Sequence, residues 1–254
     1  MDQFLNWLNQ SSLKIFMVLA IPFTIYMVFY IRFKMKDKHR SLVLILLYLF
    51  SFLVVSKFSY DMFKEINFTD VKNDRYQLVI KKLEDIRESQ RAHKTIKGVF
   101  QNNWDNLVKF IENDSFTITQ RRDSSIVDEI LTKRYGGVKT FKDIVIVDTL
   151  GFISVKDSLF GDDSRYKDMM YVPFAEDEKT KFVLNSGFIN QNNIEIPVFE
   201  VKVKKSVILY DQPQDLILKE NDVKSVDGVN GPEIRIGSMT EVNDNGNWPK
   251  NYSK

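Results

Sequence analysis

The chain contains no cysteine, which excludes disulfides, thiolate metal sites and a cysteine nucleophile. It is compatible with an oxidising compartment such as the periplasm. Histidine is nearly as scarce, with only His39 and His93. A Ser-His-Asp triad beyond residue 60 would have to use His93, and no serine stands in a nucleophile-elbow setting. No phosphate-binding glycine loop is present, because Gly136-Gly137 lacks the required lysine and spacing. Internal repeats and low-complexity segments are also missing. So is a basic excess where nucleic acid would need one. Residues 1–59 hold seven Lys/Arg and two Asp/Glu, so of the 36 and 34 in the whole chain 29 and 32 remain, a net −3 against +2 overall. That balance, without basic runs interleaved with aromatics, argues against nucleic acid as a partner.

What the chain does have is an apolar N-terminus. Residues 13–33 form a 21-residue run with charges only at Lys14 and Arg32, enough for a helix to cover a hydrocarbon core of about 30 Å. Pro22 suggests a kink within it. A second run, 41–56, is 16 residues long and reaches about 24 Å, with Arg40 and Lys57 placed to snorkel. Phe58 and Tyr60 fall where an aromatic belt lies. A buried hairpin in a soluble core is the competing reading, but nothing downstream is apolar enough to cover both runs. A signal peptide fits poorly, because residues 1–12 carry only Asp2 and a second span follows.

Between the runs stand Arg32, Lys34, Lys36, Lys38 and Arg40 against a single acid, Asp37. The positive-inside rule puts this loop in the cytoplasm and both termini in the periplasm of a bacterial inner membrane. The expected organisation is a transmembrane hairpin over 1–59 (spans about 13–33 and 41–57, loop 34–40), a helical stalk or helix pair over 60–113, and a β-rich domain over 114–254. The expected fold class is α+β, a two-helix transmembrane hairpin followed by a helix and a mostly antiparallel β domain.

Within the exported part, the spacing predicts a helix over 70–97. Tyr76, Val79, Ile80, Leu83, Ile86, Gln90 and His93 recur at three- and four-residue steps along one face, opposite a charged face. Tyr76, Val79, Leu83, Ile86, Gln90 and His93 are the candidate interaction face. The stripe can pair as a short coiled coil or lie on its own domain's sheet, and Gln90 and His93, which interrupt a heptad seam, favour the sheet. Gly98 ends this helix. Asn102 or Asn103 caps a second, and Ser124 or Ser125 a third over 126–135 that stops at Gly136-Gly137. Strands are expected over 116–120, over 143–147 and 152–155 as a hairpin about Asp148-Thr149-Leu150-Gly151, over 181–189 and 194–203, and over 233–238. Residues 213–221 suggest a short helix, and the tail 243–254 reads as loosely held except at Trp248.

Candidate chemistry is thin. His93 has no ligand at metal spacing and reads as a core or edge histidine. The acids Asp162, Asp163, Asp168, Glu176, Asp177 and Glu178 are interleaved with Arg165, Lys167 and Lys179, as in a solvated loop. Glu241, Asn243, Asn245 and Gly246 imitate half a calcium loop, but the twelfth position is Tyr252, which is not a bidentate ligand. No catalytic residue, cofactor or metal site is assigned.

The motifs Ile86-Arg87-Glu88-Ser89-Gln90, Trp104-Asp105-Asn106-Leu107, Tyr171-Val172-Pro173-Phe174, Pro197-Val198-Phe199-Glu200-Val201-Lys202-Val203 and Gly246-Asn247-Trp248-Pro249-Lys250 carry a resemblance. On them the chain resembles an uncharacterised family of bacterial inner-membrane proteins with two N-terminal transmembrane helices and an exported α+β domain. The resemblance implies an architecture and no catalytic residues. Around residues 86–107 the chain is similar, more loosely, to pseudopilins, but it lacks their single N-terminal helix behind a prepilin cleavage site. The expected function is a membrane-anchored, non-enzymatic interaction or structural protein of the envelope. Its expected partners are the lipid bilayer and envelope or membrane proteins, self-association included. A ligand-sensing domain, or a hydrolase of envelope polymers working through paired carboxylates, are the alternatives.

Overall fold

The computed structural model describes residues 22–33 and 37–252. The chain divides into two compact units, Met1–Thr69 and Asp70–Lys254. In the first, residues 22–33 form helix α1. Its Ile25, Val28 and Phe29 line a cavity of ≈ 440 Å³ together with Leu47, Tyr48 and Val55 of helix α2 (Asp37–Lys97). Among the described residues, one helix, Ser41–Lys97, is long and apolar enough to cross a membrane, and none of its most apolar stretch is buried. Residues 13–21 of the expected first span lie outside the described residues.

Among the described residues the structure shows one long apolar helix and not the expected hairpin of two spans. It also joins two elements that the sequence reading separated, because the second span and the helix over 70–97 are parts of α2. Residues 58–70 interleave polar with apolar side chains but contain neither glycine nor proline, and scattered polar residues do not break a helix. Lys57 reaches Asp61 at 2.7 Å across one turn, continuing the helix past the apolar run.

In the second unit, α2 stops where Gly98 adopts φ 81° and donates its N–H to Lys94 O at 2.8 Å. Helix α3 (Trp104–Asn113) starts at Asn103, whose Oδ1 accepts from Asn106 N at 3.1 Å. It buries Leu107, Phe110 and Ile111. Strands β3 (Val183–Gln191), β4 (Ile194–Lys204) and β5 (Glu233–Gly237) form an antiparallel sheet with β4 in the centre. Val198, Phe199, Val201 and Val203 of β4 are buried. Asn192 and Asn193, with φ 53° and 62°, make the two-residue turn between β3 and β4, a conformation asparagine tolerates. Short helices α6 (Lys205–Ile208) and α7 (Gln214–Asn221) precede β5.

A second, two-stranded sheet pairs β1 (Ser115–Val127) with β2 (Phe141–Ser154) over 13 residue pairs. The short helix α4 (Glu129–Arg134) lies between these strands, and α5 (Val155–Leu159) follows β2. Two expectations are corrected here. The third helix begins only after Val127, with Asp128 as its cap, because the partner strand supplies ladder bonds that hold residues 121–127 extended. Asp148-Thr149-Leu150-Gly151 is not a turn. Thr119 faces Thr149 and Ile118 faces Gly151, so Leu150 is the extra residue of a β-bulge.

The tail is corrected as well. Gly237 N donates to Asn245 O at 3.0 Å and Asn247 N to Arg235 O at 3.1 Å, so residues 245–247 run along β5. Tyr252 then donates its hydroxyl to Asn73 Oδ1 at 2.9 Å.

Two glycines separate conformational strain from steric room. Gly98 and Gly237 both have positive φ, but a Cβ at Gly98 meets nothing, whereas one at Gly237 would overlap the carbonyl of Phe199. Gly98→Ala is expected to cost about 1 kcal/mol from the left-handed backbone alone. Gly237→Ala is expected to cost clearly more, because β4 and β5 must separate. Urea denaturation of the two variants side by side measures the difference.

Candidate functional site

The candidate interaction face of α2 is an inside surface. Tyr76, Val79, Leu83, Ile86, Gln90 and His93 are all buried in their own unit, none more than 6% exposed. This corrects their assignment as a face open to a partner. The two polar members explain themselves. Gln90 clamps the 98–103 loop, donating to Gln101 O at 2.7 Å while accepting from Gln101 N at 2.9 Å. His93 Nδ1 lies 2.6 Å from Val99 O and its ring stands edge-on to Phe110, with centroids 4.7 Å apart. These residues satisfy a loop's backbone where an apolar side chain would leave it unpaired.

Beside the stripe lies a buried charged cluster that the sequence did not single out. Lys205 is completely buried and spends its three N–H bonds on Glu220 O (2.7 Å), Glu220 Oε1 (3.1 Å) and Val229 O (2.7 Å). Glu220 also accepts from Lys72 at 3.2 Å and from the Tyr76 hydroxyl at 3.4 Å. Burial pulls the Lys205 ammonium below its ordinary range, with Glu220 opposing. Burial, reinforced by the Glu220 carboxylate, pushes the Tyr76 phenol far above its ordinary 10.0 and raises Tyr252 as well. Every donor of the lysine is matched, so the cluster reads as a polar pin joining α2, α6 and α7.

The surface that stands without a covering element is the β1–β2 ribbon. Phe141, Val145, Val147 and Phe152 are 58%, 60%, 52% and 72% exposed. The register puts them on one face together with Thr117, Thr119, Arg121, Asp123, Ser125 and Val127. The opposite face carries Ile118, Ile126, Ile144 and Ile146, with Arg122 bonded to Asp148 at 3.1 Å. An isolated two-stranded ribbon is marginally stable in water. An apolar stripe of this size on one marks a contact surface. Sequence reasoning missed it because residues 121–127 were read as the approach to a helix.

The remaining sequence candidates are dispersed. Arg165 bridges Asp163 at 2.7 Å and Asp85 at 3.0 Å, which takes up part of the acidic loop. Asp244, inside the imitation calcium loop, is bonded to Arg91 at 2.7 Å and held below the ordinary carboxylate range by it. Among the described residues, no group of three or more His, Asp or Glu is placed to hold a metal ion. Arg32 is exposed. Lys34 and Lys36, and the side chains of Lys38 and Arg40, lie outside the described residues. No protein-family model matches the chain, and no curated protein or solved structure matches it.

Two measurements test the polar pin. Glu220→Ala leaves a buried ammonium without its counter-charge and is expected to cost about 3–5 kcal/mol, more than Lys205→Met, which removes the charge itself. Because the folded-state phenols of Tyr76 and Tyr252 ionise later than in the unfolded chain, their contribution is complete below pH 10 and declines as the pH rises above it. Lys205 has the reverse sign, gaining as pH rises toward 10.5. Tyr76→Phe is therefore expected to flatten the loss of stability above pH 10, read from urea midpoints at successive alkaline pH values.

Proposed function

We propose that this chain is a membrane-anchored, non-enzymatic interaction protein of the bacterial envelope that presents its α+β unit on the exported side. Its two N-terminal apolar runs form a transmembrane hairpin. Arg32, Lys34, Lys36, Lys38 and Arg40 hold the connecting loop in the cytoplasm, which leaves both termini in the periplasm. The observation that carries the interaction reading is the β1–β2 ribbon, whose apolar residues are spread along an arm where no core needs them. The anchor reading is supported by the exposed apolar stretch of α2. The resemblance carried by the Ile86–Gln90, Trp104, Tyr171 and Gly246–Lys250 motifs points to the same architecture. The partners are the lipid bilayer and envelope proteins, self-association included.

The absence of native cysteine makes orientation directly testable. Val226 is 90% exposed, and Val226→Cys provides a single reactive site on the exported unit. Lys38→Cys provides one in the loop. In intact spheroplasts a membrane-impermeant maleimide is expected to label the first at once and the second only after permeabilisation. The reverse pattern contradicts the exported orientation. Release of the chain by alkaline carbonate contradicts the anchor.

A further inference from the structure

We propose that the β1–β2 ribbon is a self-association surface whose occupant is the same ribbon of a second copy of this chain, packed face to face about a two-fold axis. The proposal rests on the interaction reading above and names the partner.

Its basis is a palindrome that exists only in the register of the two strands. Along β2 the exposed face reads Phe141, Asp143, Val145, then Val147, Thr149 and, past the Leu150 bulge, Phe152. Opposite them β1 contributes Val127, Ser125, Asp123, then Arg121, Thr119 and Thr117. An axis crossing the ribbon between the Asp123–Val145 pair and the Arg121–Val147 pair relates the two halves. A second ribbon laid antiparallel across that axis sets Phe141 on Phe152, Val145 on Val147 and Arg121 on Asp123, each contact occurring twice. Asp143 meets Thr149, and Ser125 meets Thr119. Phe141, Val145, Val147 and Phe152 of β2 thus each meet an apolar side chain, and Arg121 and Asp123 meet with opposite sign. Such pairing is what an isologous interface requires.

Charge also fixes the register. Moving the axis half a step one way places Asp123 on Asp123, and half a step the other way places Arg121 on Arg121. Both alternatives oppose like charges. Arg121 and Asp123 have no ion-pair partner within their own chain among the described residues, while the neighbouring Arg122 is bonded to Asp148 on the other face.

The area is sufficient. Thirteen residue pairs extend roughly 40 Å. With Phe141 and Phe152 more than half exposed and three valines beside them, each copy offers about 500 Å² of apolar surface. The pair then buries about 1,000 Å² before the threonines and charges are counted, which is the size a specific interface needs. Two-layer packing at a spacing of about 10 Å also gives this ribbon the second layer it lacks.

The test uses the full chain in mild detergent, with mass in solution read by sedimentation velocity and native mass spectrometry. The unaltered chain is expected to be a dimer. Arg121→Asp sets acid against acid twice and is expected to raise the dissociation constant by at least about tenfold. The exchange Arg121→Asp with Asp123→Arg is expected to restore the dimer, because a two-fold contact is indifferent to which partner carries which sign. Both side chains are solvent-exposed, so unchanged circular dichroism controls for folding. A monomeric chain overturns the proposal. So does a dimer insensitive to Arg121→Asp, a dimer that the exchange fails to rescue, or a different protein found seated on the ribbon of an otherwise monomeric chain. The maleimide experiment separates the two readings. An anchored, exported monomer overturns self-association alone, and a dimer that carbonate releases from the membrane overturns the anchor alone.

Discussion

Burial of one face of α2 is the constraint on which the second unit, Asp70–Lys254, depends. Between residues 76 and 93 the helix buries Tyr76, Val79, Ile80, Leu83 and Ile86 with almost no remaining exposure. At about 1.5–3 kcal/mol for each large apolar side chain, this stripe is a principal source of the unit's stability. Polar bonds then fix how the rest meets it. Lys82 holds the carbonyls of Asp168 and Tyr171, each at 2.9 Å. Arg75 grips Asp211 with both terminal nitrogens, at 2.6 and 2.8 Å. Arg91 and Asp85 reach the loops at Asp244 and Arg165. The exposed members of these pairs add little energy each. Their value is positional, since they bring segments 80 or more residues apart onto one helix.

A unit organised in this way has its most apolar helix face already occupied, so its capacity for partners lies elsewhere. The β1–β2 ribbon is the contrasting element. Its strands hold one another through 13 pairs, and its packing against the core is concentrated at its base near α3 and α5. The ribbon carries apolar side chains on both faces, which the domain's own stability does not call for. Packed core and exposed arm are thus separate parts of one chain. The polar pin at Lys205 belongs to the first, and the alternating stripe from Phe141 to Phe152 to the second.

Much of the core was legible in the sequence, because its signals are local. Gly98 stops α2, Asn103 caps α3, Asn192-Asn193 turns β3 into β4, and Pro213 leads into α7. What was not legible depended on partners distant in the chain. The residues around Asp61 and Lys64 look like a linker until the absence of any helix breaker is weighed. Asp148-Thr149-Leu150-Gly151 has turn chemistry, but a bulge uses the same residue types once a partner strand faces them. The tail's bond between Tyr252 and Asn73 spans 179 positions. The ribbon's palindrome could not be read without the register, although the run Ile144-Val145-Ile146-Val147, flanked by Phe141 and Phe152, was a visible sign of a strand with both faces apolar. Gln90 and His93 interrupt a heptad, and the reason for them, bonding the 98–103 loop, is visible only in the fold.

Hydrogen exchange on the full chain in mild detergent, compared between a concentration at which it is associated and one at which it is dissociated, tests most directly whether core and contact surface are separate. Amides over residues 76–93 are expected to be the slowest and equal in both settings, while those over 115–127 and 141–154 are slower in the associated chain than in the dissociated one. Equal exchange of the ribbon in both settings, with a change over 76–93 instead, would contradict this division. It would mean that the α2 stripe leaves its own domain to meet a partner.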